Sequence, residues 1–413
     1  MTAADQLEAI TSRVETMYDD LSETVLEEIT PELENNGVHL TTMAELSDPE
    51  RERLGRLFRE QVFPILTPLA LDPGHPFPHV PNKRIHLIVM LSGEDAGQPS
   101  FAVVQVPAVL PRLIAVPNVL PDEHSTGAIG EGPGDESQRA YVLLDDVIAD
   151  NVEELFRGFT RRGAWTFRVI RNHDLSIDEE EAEDLLEEIR EEVRRRDRGN
   201  SVVLEVSADC APEAVAVLEE ALQVDSRLVF QVEAPLALPD LGELAKPLRG
   251  RPDLQDVSFT PAASPAFDLE LDPFDVIRAN DVLLHHPYES FDPVVALLER
   301  AASDPDVLAI KQTLYRTSGD SPIVKALVRA AENGKQVAAL VEIKARFDEE
   351  NNIHWARRLE EAGVHVVYGL VGLKTHCKVM LIVRREGPQL RRYVHLGTGN
   401  YNPKTATPYT DPV

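Results

Sequence analysis

A histidine and a lysine stand two residues apart near the end of this 413-residue chain, at His376 and Lys378. A positive neighbour lowers the proton affinity of an imidazole, so the ring stays neutral and nucleophilic near neutral pH. On a strand, this spacing also places both side chains on the same face. The pair therefore suits attack on phosphorus, with the lysine stabilising the equatorial oxygens. The alternative is a surface histidine flanked by a solubilising lysine.

Further groups that bind phosphate follow predicted strands of the same region. Arg316 follows one strand, and Lys344 and Arg346 follow the next. A Gly-Thr-Gly-Asn turn that ends at Asn400 follows a later strand. Arginine offers paired donors to phosphate, lysine a point charge, and glycine lets backbone N–H groups approach an anion. Because ligands of α/β sheets bind beyond the carboxyl ends of the strands, we expect these groups to converge with His376 on one edge.

Other reactive side chains of this region are assigned to packing or to solvent. Adjacent histidines, His285 and His286, point in opposite directions on a strand and indicate packing rather than a metal site. The acids at 348–350 match either a divalent-ion site or, more often, a solvated helix start. Cys377 is expected to be small and buried, facing away from the histidine before it, and Trp355 to lie in the core. No G-x-x-x-x-G-K-[ST] motif occurs, which argues against a P-loop NTPase.

The elements that must position these residues fall into two regions. From about residue 40 to 250 the pattern is α+β, with predicted strands at 85–91, 101–106, 141–144, 165–171, 202–206 and 228–232 and helices at 178–198 and 212–222. From residue 281 onward strands and helices alternate, with strands at 307–314, 337–343, 364–367, 376–383 and 392–396 and helices at 321–332 and 352–362. Such alternation is typical of an α/β domain with a mixed or mostly parallel sheet. The predicted fold is therefore an α+β domain followed by an α/β domain.

The remaining segments connect or precede these domains. Residues 3–36 repeat apolar side chains at spacings of three and four, which predicts a long amphipathic helix. It is expected to be the last helix of an incomplete helical domain, or else to pack on the next domain or a second subunit. The proline-rich stretch 63–78 predicts an irregular connection, 122–138 an exposed loop, and 248–266 a linker.

Composition excludes several classes of protein. The chain carries 71 acidic and 41 basic side chains, a net charge of −30, whereas general DNA or RNA binding depends on many Lys and Arg. It has no run of about 18 apolar residues and no signal-peptide pattern, which argues against a membrane span. A hydrophobic content of 43% suffices for folded cores. Cys210 and Cys377 form neither a disulfide framework nor a metal cluster, so we expect a cytoplasmic protein.

The charge is unevenly distributed along the chain. Residues 301–413 hold 12 acidic and 16 basic side chains, a local net charge of +4, while the first 300 residues carry −34. A basic region on an acidic chain marks where an anionic ligand can bind, although a compact domain with few surface acids gives the same pattern.

Only 9 of the 41 basic residues are lysines. Abundant acid with scarce lysine is typical of salt-adapted proteins, so we expect a halophilic host.

Several long motifs carry a family resemblance. In the C-terminal region they are Phe274-Asp-Val-Ile-Arg, Asp281-Val-Leu-Leu-His-His-Pro-Tyr-Glu-Ser-Phe, Thr313-Leu-Tyr-Arg, Glu342-Ile-Lys-Ala-Arg-Phe-Asp-Glu-Glu, Gly372-Leu-Lys-Thr-His-Cys-Lys and His395-Leu-Gly-Thr-Gly-Asn. Upstream they are Thr67-Pro-Leu-Ala-Leu-Asp-Pro-Gly-His-Pro-Phe and Leu244-Ala-Lys-Pro-Leu. Together they resemble polyphosphate kinase, in the family with phospholipase D-like catalytic domains. The resemblance covers nearly the whole chain.

The resemblance implies a domain order. A helical N-terminal domain, a middle domain and two phospholipase D-like domains are typical of the family. Here it implies a remnant of the helical domain at 1–39, the middle domain at 40–260 and the first phospholipase D-like α/β domain at 270–413. The second such domain, with its own histidine, and nearly all of the helical domain are expected to be absent.

The resemblance also implies an activity and its residues. The family transfers the terminal phosphate of ATP reversibly to polyphosphate, with Mg²⁺, through a phosphohistidine that matches His376. Arg316 and Arg346 match positions associated with magnesium and phosphate. A guanidinium has no lone pair to offer a metal, so we read both as clamps on phosphate oxygens near the metal. Tyr409 matches a nucleotide-contacting tyrosine.

Three functions remain open at this stage. The first is an ATP:polyphosphate phosphotransferase that is weakly active or inactive alone, as one piece of a split enzyme with a complementing chain. The second is a non-catalytic polyphosphate-binding remnant, and the third a phosphodiesterase assembled from two copies of the chain. ATP, ADP and polyphosphate are the expected partners, without nucleic acid, and a homo-oligomer stays open.

Overall fold

The computed structural model describes residues 1–71, 77–93, 100–116, 139–172, 187, 189, 199–245, 248, 251–257, 259–267, 271–317, 319–343, 349–369 and 373–413. The chain divides into two compact units: unit 1, Met1–His173 with Asp197–Asp256, and unit 2, Asp174–Arg196 with Val257–Val413. The third change of unit along the chain, between residues 256 and 257, falls in the segment predicted as a linker. The loop predicted at 122–138, most of the helix predicted at 178–198, and Arg346 lie outside the described residues.

Unit 1 opens with the long helical stretch that the apolar spacing predicts. It consists of α1 (Ala3–Glu23), a π-helical segment (Thr24–Ile29) and α2 (Thr30–Asn35). Thr2 and Asp5 form a capping box that satisfies backbone donors at the start of α1. Val25 is buried, whereas Ile10 and Met17 are 58% and 54% exposed. Only part of the predicted apolar stripe therefore faces the core of unit 1.

The rest of unit 1 is built around a sheet. Its other helices are α3 (Asp48–Leu57), α4 (Leu144–Asn151) and α5 (Pro212–Leu222), with a π-helical segment at Phe58–Val62 and 3-10 helical segments at Phe63–Ile65, Val152–Leu155, Ser226–Leu228 and Leu238–Ala245. Its strands are β1 (Val38–Leu40), β2 (Leu69–Leu71), β3 (Ile85–Ser92), β4 (Ser100–Gln105), β5 (Leu113–Ala115), β6 (Arg139–Leu143), β7 (Thr160–Arg171), β8 (Ser201–Ser207) and β9 (Val229–Val232). Six strands follow the order β2-β4-β3-β7-β8-β9, and three follow the order β1-β6-β5.

The middle of the six-stranded sheet is buried on both faces. Leu87 of β3 contributes to one core together with Leu144 of α4. Its neighbour Ile88 contributes to a second core with Phe167 of β7 and Leu218 of α5. Because successive side chains of a strand alternate between faces, a strand with helices on both sides must be apolar throughout. This explains the apolar run Leu87–Leu91 of β3, and the architecture confirms the α+β prediction for unit 1.

Unit 2 holds a five-stranded mixed sheet. Its helices are α6 (Pro273–Ala279), α7 (Asp292–Ser303), α8 (Pro322–Glu332) and α9 (Glu349–Glu361). Its strands are β10 (His285–His286), β11 (Val307–Leu314), β12 (Gln336–Val341), β13 (His365–Val367), β14 (Lys378–Glu386), β15 (Gln389–Gly397) and β16 (Asp411–Pro412). The sheet order is β13-β12-β11-β14-β15, and β10 pairs with β16. Strands β11, β12 and β13 run parallel, while β14 and β15 are antiparallel, which confirms the predicted α/β domain.

The helices of unit 2 pack on this sheet and form one hydrophobic core with it. Leu298 of α7, Leu327 of α8 and Trp355 of α9 share that core with Ile310 of β11. The start of α8 is capped by the Ser321 hydroxyl. Its end is followed by a glycine with φ +77°, a conformation that side chains rarely adopt. The helix predicted at 321–332 is therefore confirmed together with its stop signal.

Two helices of unit 1 were not predicted from the sequence. Helix α3 begins after Ser47, which forms a capping box with Glu50, but its few apolar residues gave no clear period. Helix α4 begins at Leu144, which the prediction assigned to a strand; Leu144 and Ile148 are fully buried on one helical face. Among the helices of the described ranges, none is both long and apolar enough to cross a membrane.

Candidate functional site

One edge of the unit 2 sheet collects several of the predicted site residues. Strands β11 and β12 run parallel, so their carboxyl ends, at Leu314 and Val341, meet at the same edge. Strand β14 runs antiparallel to β11, so it begins there with Lys378. Register pairs Lys378 with Gly397, the last residue of β15 and the first of the glycine-rich turn. Arg316, which follows β11, therefore shares this edge with Lys378 and the turn.

The ring of Tyr315 lies at the centre of this group. The Nζ atoms of Lys374 and Lys378 lie 5.5 and 5.3 Å from the ring centroid. The Cζ atom of Arg316 lies 5.5 Å from it. The imidazole of His376 meets the same ring edge to face, with centroids 5.3 Å apart and planes at 80°. Three cations and one imidazole thus surround a single aromatic ring, an arrangement named here the Tyr315 cluster.

The segment that carries His376 is not part of a strand, contrary to the prediction for 376–383. Strand β14 begins at Lys378, and residues 374–377 have no regular structure. His376 is exposed, whereas Lys378 is only 5% exposed. The two side chains therefore do not share a strand face. They come together because both contact the ring of Tyr315.

Side chains, rather than a strand ladder, hold this segment in place. The Glu342 carboxylate accepts a hydrogen bond from the Thr375 N–H at 2.7 Å. The Thr313 hydroxyl donates to the Cys377 carbonyl at 2.8 Å and accepts from the Val379 N–H at 3.0 Å. These bonds occupy backbone groups that a ladder would otherwise pair, which is why β14 starts later than predicted. They also fix the backbone on both sides of the histidine.

Asn352, in the first turn of α9, connects the ends of two strands. Its side-chain N–H groups donate to the carbonyl of Tyr315 at 2.5 Å and to that of Glu342 at 2.9 Å. Its Oδ1 accepts from the Thr317 hydroxyl at 3.5 Å. Asn352 is 2% exposed, so these bonds satisfy carbonyls that water does not reach. The backbone positions of Tyr315 and Glu342 are fixed by the same side chain.

The neighbouring cations set the protonation state of His376. The Lys378 charge is the main cause that lowers the pKa of this imidazole below its ordinary value, followed by partial burial and the charges of Lys374 and Arg316. Burial also lowers the pKa of Lys378, with Asp411 opposing that shift. The imidazole is therefore neutral at neutral pH, the state that a nucleophile requires.

The glycine-rich turn is held by a carboxylate at the same edge. The Thr398 hydroxyl donates to Asp411 at 2.8 Å. A Cβ atom at position 399 would lie 2.5 Å from the Asp411 carboxylate, so only Gly399 fits there. Asn400 ends the turn, and its buried Oδ1 has no hydrogen-bond partner among the described residues. The side chains of Asp411 and Val413 therefore pack against the glycines of the turn, which leave room for them.

Two further predicted site residues are Tyr409 and Arg346. Tyr409 lies between the turn and β16 and is 63% exposed. Arg346 falls in a stretch, 344–348, outside the described residues. Of the residues predicted from sequence, the structure joins His376, Lys378 and Arg316 around one ring.

The side chains assigned to packing or solvent show a mixed outcome. Cys377 is exposed, contrary to prediction, because strand alternation does not apply to the irregular segment before β14. Glu349 is 3% exposed, so the solvated helix start is wrong at this residue; the first turn of α9 is packed on the strand ends. His286 is 1% exposed and His285 is exposed, which confirms that they point in opposite directions. Trp355 is 3% exposed, in the core, as predicted.

Sequence reasoning assigned no role to three residues that organise the site. Tyr315 and Glu342 are each the first residue after a strand, β11 and β12 respectively. Asn352 lies in the first turn of α9. The available signal was position, because the first residue past the carboxyl end of a strand borders the ligand site of such sheets. The presence of a tyrosine in the sequence does not by itself reveal that cationic side chains pack around its ring.

The donor set of this site suits an anion better than a metal ion. The described residues contain no group of three or more His, Cys, Asp and Glu side chains that could hold a metal. The cluster instead contributes ammonium and guanidinium groups, which have no lone pair for a cation.

An α+β unit and a mixed α/β unit with several cations at one sheet edge define a two-unit α/β protein with a candidate anion-binding site. Comparison with known proteins identifies its family. The models for the polyphosphate kinase middle domain and for the polyphosphate kinase C-terminal domain 1 match residues 49–244 and 272–413. The chain belongs to the polyphosphate kinase family, as its motifs predict.

Individual relatives agree with this assignment. The polyphosphate kinases of Mycolicibacterium gilvum and Prosthecochloris aestuarii are each 46% identical to this chain; the matches cover 100% of it but 55% and 56% of those proteins. The crystal structure of polyphosphate kinase from Porphyromonas gingivalis matches with a TM-score of 0.78 and 28% identity, over 99% of this chain and 57% of that one. This chain therefore spans a little over half the length of the relatives it matches.

Proposed function

We propose that this chain supplies the nucleophile of an ATP:polyphosphate phosphotransferase, with His376 as the residue that is phosphorylated. One observation carries the proposal: an exposed imidazole and three cations surround the ring of Tyr315. Family membership supports both the phosphate donor and the phosphate acceptor. A neutral nucleophile among fixed positive charges is the arrangement that attack on a phosphoanhydride needs.

The proposed reaction has two displacement steps. A ring nitrogen of His376 attacks the terminal phosphorus of ATP. The N–P bond forms as the bond from that phosphorus to its bridging oxygen breaks, and ADP leaves with the electron pair. A terminal oxygen of polyphosphate then attacks the phosphohistidine and regenerates the neutral imidazole. The reverse sequence returns phosphate from polyphosphate to ADP.

The cations divide the work of stabilising the transferred group. Lys378 is only 5% exposed, so its charge is screened least by solvent and acts on the equatorial oxygens. Lys374 and Arg316 bind the neighbouring phosphates, and Arg346 is proposed as a further clamp. Asn400 and Tyr409 are proposed to contact the phosphate chain and the nucleotide. These roles agree with the local positive charge of residues 301–413.

We propose Mg²⁺ as the metal ion of this reaction, entering with the nucleotide. When bound, it would neutralise charge on the phosphates. Direct ligation by Arg316 or Arg346 is not supported by guanidinium chemistry, so both are assigned to phosphate oxygens.

The length and the domains of this chain bear on its expected activity. We propose the division into 1–39, 40–260 and 270–413 for the helical, middle and first catalytic domains, in a cytoplasmic protein. Since the chain spans a little over half the length of its relatives, we propose that it makes little polyphosphate alone. Groups that act jointly in catalysis lose most of the rate when one part is missing.

Labelling with ATP tests the proposal directly. The purified chain is incubated with ATP labelled at the terminal phosphate, with Mg²⁺ and KCl, and split into acid-treated and alkali-treated samples. We expect label that survives alkali, is lost in acid and maps to the peptide containing His376. His376→Gln should abolish it.

The matched control is His354→Gln, which removes an exposed histidine of α9 in the same unit. This variant should retain the wild-type label. Equal labelling of His376→Gln, or label on another residue, would contradict the proposal. If the protein binds polyphosphate but takes no label, the transferase proposal is contradicted and a polyphosphate-binding function is favoured instead.

A further inference from the structure

We propose that Tyr315 is a positioning residue of this site, whose ring holds the imidazole of His376 and the ammonium of Lys378 in one fixed arrangement. The inference deepens the proposed function and rests on it for the identity of the reaction. Its basis is geometric, because four separate groups contact a single ring.

The distances match those of attractive contacts. All three cationic groups lie within about 6 Å of the ring centroid, the range in which the face of an aromatic ring attracts a cation. The His376 ring meets Tyr315 at 80°, the edge-to-face geometry that aromatic pairs prefer. The ring offsets the mutual repulsion of Lys374, Lys378 and Arg316. Without it, the imidazole of His376 would also lose its edge-to-face contact.

The ring itself is well anchored. Its residue follows β11 directly, and the backbone carbonyl is held by the buried Asn352. Leu314 and Thr317, on either side in sequence, are 2% and 4% exposed. The tyrosine is half-buried, so part of the ring remains available to the cations. A fixed ring can therefore set the positions of the flexible lysine side chains.

An aromatic ring does this task in a way that a carboxylate cannot. A carboxylate would also gather the cations, but it would neutralise them and repel phosphate. The ring attracts them through its quadrupole and adds no net charge, which leaves their charge for an incoming anion. This argument needs the ring of Tyr315 and not its hydroxyl, so phenylalanine should replace it.

The test compares Tyr315→Phe with Tyr315→Leu. Modification of His376 by diethyl pyrocarbonate is followed by peptide mass spectrometry as a function of pH, because only the neutral imidazole reacts. Tyr315→Phe should reproduce the wild-type profile. In Tyr315→Leu the cations move away from the imidazole, so the midpoint should shift to higher pH. Labelling by ATP should fall by about tenfold, the combined effect of losing two or three such contacts.

Controls separate positioning from folding. Tyr288→Leu removes a 52% exposed tyrosine from the same unit and should leave the His376 profile unchanged. Circular dichroism checks each variant, and Tyr315→Met replaces Tyr315→Leu if the latter does not fold. A Tyr315→Leu or Tyr315→Met profile identical to wild type would overturn the proposal, and so would a Tyr315→Phe profile as shifted as that of Tyr315→Leu.

The modification needs no ATP, so the two proposals fail separately. If the wild-type protein takes no label while the profiles still differ as expected, the positioning role stands and the transferase proposal is contradicted. If label appears on His376 but Tyr315→Leu matches wild type in both measurements, the transferase proposal stands and the positioning role is overturned.

Discussion

Two regions of the molecule, the Arg112 and Arg168 ion pairs of unit 1 and the Tyr315 cluster of unit 2, hold positive charge in opposite ways. In unit 1, Arg112 is 9% exposed and its Nε lies 3.0 Å from the carboxylate of Asp145, which is 3% exposed. Arg168 is likewise bonded to the buried carboxylate of Glu205. In unit 2, the cations of the Tyr315 cluster gather on an aromatic ring. A carboxylate cancels the charge that it holds, while a ring leaves that charge available.

The difference separates structural arginines from a binding site. An arginine neutralised by a buried carboxylate supports folding, and it has little charge left for phosphate. A cation held by a ring contributes less to folding and can bind an anion. The net charges of the units also differ: unit 1 has 40 acidic and 19 basic residues, and unit 2 has 31 and 22, giving −21 and −9. Each unit also holds one of the two tryptophans, Trp165 and Trp355.

The largest expected effect is on the stability of unit 1. Asp145→Ala removes the buried carboxylate of Arg112 and leaves the half-exposed Asp240 as its ionic partner, which should lower the free energy of unfolding by about 3 kcal/mol. The free energy of unfolding is measured by urea denaturation in a Trp355→Phe background, with Trp165 fluorescence as the signal. Asp253→Asn is the control, since it removes an exposed pair with Arg251 and should have no measurable effect. A small effect of Asp145→Ala would show that the buried pair does not organise unit 1.

A smaller effect is expected at the anchor of the histidine segment. Glu342→Ala removes the acceptor of the Thr375 N–H, a hydrogen bond to a charged group, and should lower the free energy of unfolding by about 2 kcal/mol. Trp355 fluorescence in a Trp165→Phe background reports it. The same variant should reduce labelling of His376, because the segment that carries it is released. Unchanged labelling would contradict the positioning assigned to Glu342.

The smallest effect is a difference in response to salt. Screening reduces repulsion among acidic side chains, so KCl should raise the thermal midpoint of both units. The thermal midpoint reported by Trp165 fluorescence should rise more than the midpoint reported by Trp355 fluorescence, because unit 1 carries a net charge of −21 and unit 2 a net charge of −9. Sucrose at matched viscosity serves as the uncharged control. An equal or reversed response would remove the support for a halophilic host.

Much of the fold follows from local patterns in the sequence. Strand β11 and helix α5 match their predicted bounds because each has a clear period and a clear stop. Helix α3 was missed since few apolar residues mark its face, although the Ser47–Glu50 capping box was readable. The resemblance to the polyphosphate kinase family fixed the identity of the chain more firmly than any single motif did.

The site was predictable in part. Arg316 was placed at the ligand edge because it follows the carboxyl end of β11. Lys378 lies at the same edge because the antiparallel strand β14 begins there. The shared face assigned to His376 and Lys378 was wrong, since the Thr375 N–H donates to Glu342 and the Thr313 hydroxyl donates to the Cys377 carbonyl, which keeps the histidine out of the strand. Contacts between residues far apart in the chain, such as Tyr315 with the histidine segment, depend on sheet register and leave no local signal.

The availability of charge in the Tyr315 cluster is the central claim, and binding of inorganic tripolyphosphate tests it most directly. Calorimetric titration compares the wild type, the double variant Arg316→Gln with Lys378→Gln, and Lys311→Gln, which removes an exposed lysine from β11. We predict that the double variant loses affinity by about a hundredfold, roughly tenfold for each charged contact, while Lys311→Gln keeps wild-type affinity. Equal affinities in all three proteins would contradict the account.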